Sequence, residues 1–509
     1  MSRLAPTESR TVARADLLAD VTRTLAAGWR LALVAAHEDA VDFRVVYAFT
    51  APGDRRLELT VPVPRADSWL PTVASSSYPG GRWEREIRDL YGIHPVGHPL
   101  PFRMVRHDHW PTRWFPMLRD IEPNPQFAPD NDSYRFVTVE GDGVYEIPVG
   151  PVHAGLIEPG HFRFSVVGET ILRMKARLWF VHRGVEKLFE GRRPDDGIEL
   201  AERISGDTAV GHTLAYVMAV EDAAGIEVPE GDRLARALLL ELERVYNHVN
   251  DLGALASDVG YGIANAHLQR LREQLLRHNQ HVTGHRLLRG AIGVGTGVLR
   301  GTPDVDLVRA VAAEAAEVVA IVLANSVVHD RFTGTAVLDH EQALSLGTLG
   351  YVARGSGVDA DARRDHPFVD LGESFGVVVE NGGDVMARFM VRARELAVSA
   401  ALVEDLAGRL AGRPGERTSV TTRGAGAGAG LGGGAGLGGG AGLGIVEAWR
   451  GTLVHRVELD ATGALTRVKI VDPSFLNWPA LPVSLTDTIV PDFPLANKSF
   501  NQSYAGNDL

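Results

Sequence analysis

The sequence predicts an α+β protein: a small N-terminal α/β domain, then a mainly α-helical bundle domain with β-hairpins at its start and near its C-terminus. Three observations carry this. At 509 residues the chain exceeds what one ordinary core can bury, which calls for two or three domains. Up to about residue 115 strand-like and helix-like patterns alternate, whereas beyond about residue 170 apolar residues recur with a helical period over long stretches. Between the two, "EPNPQFAPDNDSYR" is rich in Pro, Asn and Asp and reads as a linker. The domains are therefore expected at residues 1–120 and 141–509, with the linker at 121–140.

In chain order, Arg14 to Ala27 carries the stripe of an amphipathic helix. "WRLALVAAHE", "DFRVVYAFT" and "RRLELTVPVP" read as strands, and "GGRWEREIRDLYGI" as a helix running into a turn. The second domain opens with "VYEIPVGP" and "HFRFSVVGET", strand-like runs joined by "VHAGLIEPG", a loop long enough to carry function. Helices are expected over "ILRMKARLWFVHRGVEKLFEG", "AVGHTLAYVMAVEDAAG", "RLARALLLELERVYNHVNDLGALASDVG", "LQRLREQLLRHNQHVTGHRLL", "VDLVRAVAAEAAEVVAIVLANSVVHDRF" and "GDVMARFMVRARELAVSAALVEDLAGRL". Gly424 to Gly444 repeats every six residues, with Leu431, Leu437 and Leu443 as its only large side chains. It reads as a flexible insertion, because so many glycines lose too much entropy on ordering. A phosphate-binding loop would need a strand before it, a helix after it and usually a Lys, and these are lacking. Beyond it, "EAWRGTLVHRVELDATGALTRVKIVDPSF" reads as a short β-hairpin and the remainder as an irregular polar tail.

Composition narrows the function classes. Lys plus Arg total 52 against 64 Asp plus Glu, a net charge of −12, which argues against nucleic acid or an anionic membrane as a charge-bound partner. There is no cysteine, hence no disulfide, no thiolate metal or iron–sulfur site and no cysteine nucleophile. The N-terminus lacks the apolar core of a signal peptide, and no apolar stretch is long enough to span a membrane. A cytoplasmic location follows, with membrane contact made through partners.

Six motifs occur in order: "IPVGPVHAGLIEPGHFRF", "HRGVEKLFEG", "ERISGDTAVGHTLAYVMAVE", "RGSGVDADARRDHP", "GDVMARFMVRARE" and "PSFLNWPAL". Together they resemble the large subunit shared by group 4 nickel–iron hydrogenases, formate hydrogenlyase and the quinone-site subunit of respiratory complex I. "WEREIRDLYGIHPVGHP" is similar to the complex I 30 kDa-type subunit, fused ahead of the large one in the formate hydrogenlyase type. The hydrogenase branch holds its metals with two Cys-x-x-Cys pairs. The matching positions here are Ser205 and Thr208, then Ser503 and Gly506. Hydroxyls cannot replace soft, deprotonated sulfur, so the resemblance implies a thiol-free variant with no metal and no hydrogen chemistry.

In the complex I branch a quinone headgroup fills the vacated cavity. Carried over position by position, Tyr216 matches the Tyr that hydrogen-bonds one quinone oxygen, His161 the quinone-site His, and Asp258 the Asp that pairs with it. The loop is longer than in complex I, which leaves His153 as a substitute. Two-electron reduction of a quinone takes two protons, one donor for each carbonyl in a low-dielectric cleft, which a phenol and an Asp-held imidazolium supply. Each residue also has a plainer reading: Tyr216 as core, His161 closing the hairpin, Asp258 capping a helix. Arg203, Arg354, Arg363 and Arg388 are further candidates, of which Arg354 and Arg388 match positions where the family packs guanidinium groups near the cavity and partner interface; the plainer reading is solvated or structural ion pairs. Glu186 matches a Glu on the hydrogenase proton path, or is a surface residue beside Lys187.

The resemblance thus implies a peripheral-arm subunit of an NADH dehydrogenase-like membrane complex, passing electrons from a partner iron–sulfur small subunit to quinone as substrate. Nothing is bound covalently, and membrane-arm subunits are the other partners. NAD binding enters only at the level of the family, since the chain has no nucleotide motif of its own. The rival reading is a scaffold that holds the small subunit against the membrane arm.

Overall fold

The computed structural model describes residues 5–127, 134, 136–153, 157–412 and 439–509. The N-terminal part contains β1 (Glu8–Thr11), α1 (Leu17–Ala26), β2 (Arg30–Glu38), β3 (Phe43–Ala51), β4 (Arg55–Val63), β5 (Trp69–Pro71), α2 (Tyr78–Tyr91) and β6 (His94–Val96). Strands β2, β3 and β4 form an antiparallel meander, and β1 adds to β4 in parallel, giving the order β1-β4-β3-β2. Helix α2 starts at Ser77, whose hydroxyl accepts the Gly80 N–H at 3.1 Å, and stops at Gly92 with φ +78°. Only glycine suits that stop, because a Cβ there would lie 2.8 Å from the Phe115 ring.

The larger part begins with β7 (Val144–Val149), β8 (His161–Val167) and β9 (Thr170–Arg177), an antiparallel sheet. Helices follow: α3 (Val185–Phe189), α4 (Pro194–Ala201), α5 (Ala209–Ala224), α6 (Glu230–Asp258) and α7 (Gly262–Thr283). After the small β10–β11 ribbon (Ile292–Gly293, Thr296–Gly297) come α8 (Val305–Ala324), α9 (Ser326–Phe332), α10 (His340–Leu346), α11 (Gly350–Gly355), α12 (Ala362–Asp365) and α13 (Val385–Ala411). The sheet β12 (Gly440–Ala448), β13 (Gly451–Leu459) and β14 (Leu465–Val471) precedes α14 (Pro473–Asn477), α15 (Ala480–Ser484), α16 (Phe493–Phe500) and α17 (Tyr504–Asp508). Among the described residues no helix is long and apolar enough to cross a membrane.

Four local expectations are corrected. "TILRMKAR" is strand β9, paired to β8 across a turn at Gly168 with φ +59°, and helix resumes only at Val185. Asn325 splits the predicted long helix into α8 and α9, its side chain accepting from Val327 and Val328 N–H. The C-terminal segment is helical and buried rather than an irregular polar tail. The glycine repeat is not flexible throughout: Gly440–Gly444 belong to β12, and Leu443 is buried. Strand β12 lies directly on α5, where a Cβ at Gly444 would overlap the Ala215 carbonyl oxygen and one at Gly442 that of Ala219. Those glycines permit a close approach, so packing offsets their entropy cost. Residues 424–438 of the repeat lie outside the described residues.

Buried ion pairs join the two parts. Glu58 on β4 accepts from Arg456 on β13 at 2.7 and 3.0 Å, and Lys469 on β14 is 2.6 Å from Glu86 on α2. Charges this deep are tolerated because each has its counter-charge at hydrogen-bonding distance.

Candidate functional site

The four expected ligand positions converge. Ser205 and Thr208 sit in the turn between α4 and α5, and Ser503 and Gly506 at the start of α17. The Ser205 and Ser503 hydroxyls are 2.8 Å apart, and Ser503 Oγ accepts the Gly506 N–H at 2.9 Å. Asp207, between the first pair, accepts from Ser205 and Thr208, each at 3.1 Å. Its carboxylate also takes two N–H groups of Arg450 at 2.5 and 2.7 Å. Arg450 further donates to Thr208 Oγ1 (3.2 Å) and the Asn501 carbonyl (2.7 Å), and lies 4.1 Å over the Trp449 ring. Burial alone would raise the Asp207 carboxyl, but the guanidinium overrides it and holds the group below its ordinary value. The donor set does not fit a nickel–iron centre: three hydroxyls and a glycine replace soft thiolates, and a fixed guanidinium stands where it would repel metal cations.

A second polar layer backs this plug. Asp472 is 2.9 Å from His212 Nε2 and accepts the Ser474 N–H at 2.7 Å, while His212 Nδ1 is 3.1 Å from His455 Nε2. A Cβ at Gly506 would sit 2.5 Å from Asp472 Oδ2, so while His212 holds Asp472 the fourth position has no room for a side chain. Glu243 accepts the Val210 and Gly211 N–H groups at the start of α5 (2.7 and 3.0 Å), and burial pushes it up to about 8. Sequence reading misses Asp207, Arg450, Asp472 and Glu243. Asp207 alone carries a signal, a charge inserted between two expected ligands.

The expected quinone trio is not assembled. Tyr216 is fully buried, its hydroxyl donating to the Pro194 carbonyl at 2.8 Å and its ring 5.2 Å from Phe189. Burial, with Asp195 and Asp196 adding, raises this phenol well above its ordinary value. His161 heads β8 with Nδ1 3.1 Å from the Gly150 carbonyl. Asp258 is exposed at the end of α6, where partial desolvation still lifts its carboxyl to about 6 against the opposing charge of Lys498. Among the described residues no hydrogen bond or ion pair joins the three. The nearest buried acid of α6 is Asp251, two turns earlier, which accepts from Arg392 (3.0 Å) and Asn501 (2.7 Å). Asp258 lies on the same face but past the end of the bundle.

The other candidates separate cleanly. Arg203 is exposed and paired within its own turn to Glu199 at 2.9 Å, so it reaches no cavity. Arg354 is fully buried between Glu395 and Glu447, both at 2.7 Å, and Arg363 pairs with Asp361 at 2.7 Å. Arg388 is fully buried without a carboxylate partner among its hydrogen bonds, donating to Ser499 Oγ and the Gly383 and Ala336 carbonyls and lying 4.3 Å over Phe500. Glu186 is core, not surface: it is 2.8 Å from Arg467 and 3.1 Å from Lys469 and accepts the Ile470 N–H. Burial would raise it, yet Arg467 and Lys469 prevail and hold it at about 2.

The hairpin loop meets the C-terminal turn. Glu158 accepts the Ala505 N–H at 3.1 Å, and Gly160 lets Tyr504 approach so closely that a Cβ would be 2.5 Å from its ring. His153 Nε2 is 2.8 Å from the Gly160 carbonyl, and its ring is 5.9 Å from Phe162. Phe162 stacks on Trp478 at 6.1 Å, and Trp478 meets Tyr504 edge-on at 4.8 Å. Trp478 Nε1 and Gln502 Oε1 are buried without a partner, and the Tyr504 hydroxyl faces Asn497 without a directed hydrogen bond. Two apolar loop residues, Val152 (85% exposed) and Ile157 (50%), precede His153 and Glu158 in the chain.

The profile of the respiratory-chain NADH dehydrogenase 49 kDa subunit matches residues 258–424, that of the 30 kDa subunit residues 10–126, and that of nickel-dependent hydrogenase residues 183–256. The chain is 32% identical to hydrogenase-4 component G of Escherichia coli (strain K12), over 99% of this chain and 89% of that one. It is likewise 32% identical to formate hydrogenlyase subunit 5 of the same organism, over 89% and 78%. With an NADH-quinone oxidoreductase subunit of Phocaeicola vulgatus it shares 30% identity over 66% and 69%. A chain of the membrane-bound sulfane sulfur reductase, an archaeal respiratory membrane complex, superposes with TM-score 0.64 and 25% identity, covering 72% of this chain and 99% of that one.

Proposed function

This chain belongs to the family of complex I 49 kDa-type and nickel-dependent hydrogenase large subunits, fused to a 30 kDa-type domain, and from that premise we propose that it is a peripheral-arm subunit of a membrane-bound oxidoreductase complex that passes electrons to a quinone. The reading moves the reaction out of the old metal pocket, which Arg450 and Asp207 fill, to the seam between the hairpin loop and the C-terminal turn. The observation that carries it is the buried, unpartnered indole N–H of Trp478 beside Tyr504. A buried donor without an acceptor costs on the order of 1–3 kcal/mol, and a quinone carbonyl would remove that cost. Burial pushes the Tyr504 hydroxyl up to about 12, so it keeps its proton at neutral pH and can donate it. His153 and His161 each spend one ring nitrogen on a loop carbonyl, which fixes the rings and leaves one nitrogen of each for a further hydrogen bond. Electrons come from an iron–sulfur cluster in a partner subunit, and quinone plus two electrons and two protons gives quinol. The exposed Val152 and Ile157 supply apolar surface for such a substrate or for the partner that closes over it.

The scaffold reading draws on the Arg450–Asp207 plug, which spends the buried pocket on stability. Quinone reduction by the intact membrane assembly separates the two. If Tyr504 donates to the developing oxyanion, Tyr504→Phe lowers turnover by roughly a hundredfold while the complex still assembles. Unchanged turnover in Tyr504→Phe and Trp478→Phe would give the scaffold reading its place.

A further inference from the structure

A second polar feature lies away from that seam, at the boundary of the two parts. A chamber of about 40 Å3 is lined by Glu86 from α2, Glu186 from α3, His182, and Asn507 and Asp508 from α17, with Trp179 and Phe475 as apolar wall. Three acceptor atoms of its lining residues have no hydrogen-bond partner: Glu86 Oε2, Asn507 Oδ1 and Glu186 Oε2, of which only the last has a cation beside it, Arg467 at 2.8 Å. Asn507 is only 2% exposed and Glu86 8%. Lone buried acceptors facing one small polar space call for a donor inside it, and roughly 10–15 Å3 suffices for one water with two hydrogens to give. Pro116, Gly184 and Lys187, all half-buried, line the same chamber at its less buried side.

We propose that this chamber is a water-holding proton inlet, in which Glu86 of the N-terminal domain takes a proton from bulk water and hands it, through chamber water, to Asp508 on the helix that carries Tyr504. The proton that enters leaves hydroxide to the bulk, converts the Glu86 carboxylate to the acid, and restores the carboxylate when it moves on. The surrounding charges favour this division of labour. Glu86 and Glu186 share Lys469, at 2.6 and 3.1 Å, but only Glu186 also holds Arg467. Burial, with Glu186 adding and Lys469 opposing, therefore raises Glu86, while Glu186 stays ionised. Across the chamber burial lifts Asp508 to about 6, and His182 is kept from charging by its own burial. On Glu86's own helix Arg82 is drawn over the Phe475 ring at 4.5 Å.

This rests on the reading that the chain supports a proton-consuming reduction, but its test does not use the acceptor, so the two can fail separately. Infrared spectra of the full-length chain, titrated through neutrality in H2O and D2O, would be compared with those of Glu86→Gln. The expected result is a titrating carboxylic-acid carbonyl band that exchanges in D2O, is lost in Glu86→Gln and returns at a shifted position in Glu86→Asp. Asn507→Leu, which takes the water's place, should slow its exchange. A carbonyl region unchanged by Glu86→Gln, or exchange unaffected by Asn507→Leu, would overturn the proposal.

Discussion

Replacing Arg450 by Met tests whether an ion pair has taken over the old metal pocket. The side chain is 4% exposed and makes four hydrogen bonds, two to Asp207, one to Thr208 and one to the Asn501 carbonyl, so it ties the first ligand turn to the second. Its removal strands a half-buried carboxylate. Breaking one partner of a fully buried pair costs about 3–5 kcal/mol; the Asp207 side chain is 39% exposed, and solvent reduces the loss to about 1–3 kcal/mol, so at about 2–4 °C per kcal/mol in domains of 150–250 residues the melting temperature should fall by roughly 5 °C. The sign of the pH dependence is the sharper signature. In the wild type Asp207 is held below its ordinary value, so its contribution is full above about pH 4 and disappears as the pH falls through the folded value. Without Arg450 burial is opposed only by the Ser205 and Thr208 hydroxyls, the folded pKa rises, and the penalty of Arg450→Met shrinks on acidification. Scanning calorimetry of both proteins between about pH 5 and pH 8 reads this directly. Asp207→Asn in the Arg450→Met background should regain most of the loss, since a neutral pocket no longer holds a stranded charge. Equal melting temperatures, or a loss that does not change with pH, would refute the reasoning.

Gly444→Val should destabilise the chain by more than about 3 kcal/mol, because the new Cβ would overlap the Ala215 carbonyl, and thermal melting checks it. Tyr216→Phe leaves the Pro194 carbonyl without its donor and should cost about 1–2 kcal/mol of stability, with quinone turnover retained in membranes. Asp258→Asn removes a carboxyl that desolvation lifts to about 6, so it should not lower the melting temperature at pH 7, and the pH optimum of turnover should not move. Elemental analysis of the isolated chain should find no stoichiometric nickel or iron, the outcome that hydroxyls around a guanidinium dictate.

The α+β class, the sheet and helix of the N-terminal part and the long helices α5, α6, α7 and α13 are legible in the sequence because periodicity reports a buried face directly. Long-range effects are not. "TILRMKAR" reads as helix until β8 offers it a partner, and the last glycines of the repeat read as flexible until α5 is laid against them. The convergence of Ser205 with Ser503 follows from the family resemblance, whereas the Arg450 that fills the pocket between their turns arrives from the β12–β13 turn, 243 residues away in sequence from Asp207. Asp258 is assigned by the family resemblance, and a match in position does not tell that the residue lies past the end of the bundle, where α6 stops. Tyr216 sits on an apolar face, and only the structure shows its hydroxyl spent on Pro194.

The central claim is that acceptor chemistry lies at the seam of the hairpin loop and the C-terminal turn. Labelling the intact membrane assembly with a photoreactive quinone, followed by peptide mapping, tests it most directly. The account predicts label on the hairpin loop near His153 and His161 and on the turn at Tyr504, competed by unmodified quinone. Label confined to peptides around Tyr216, or none on this chain while the assembly still reduces quinone, would contradict it.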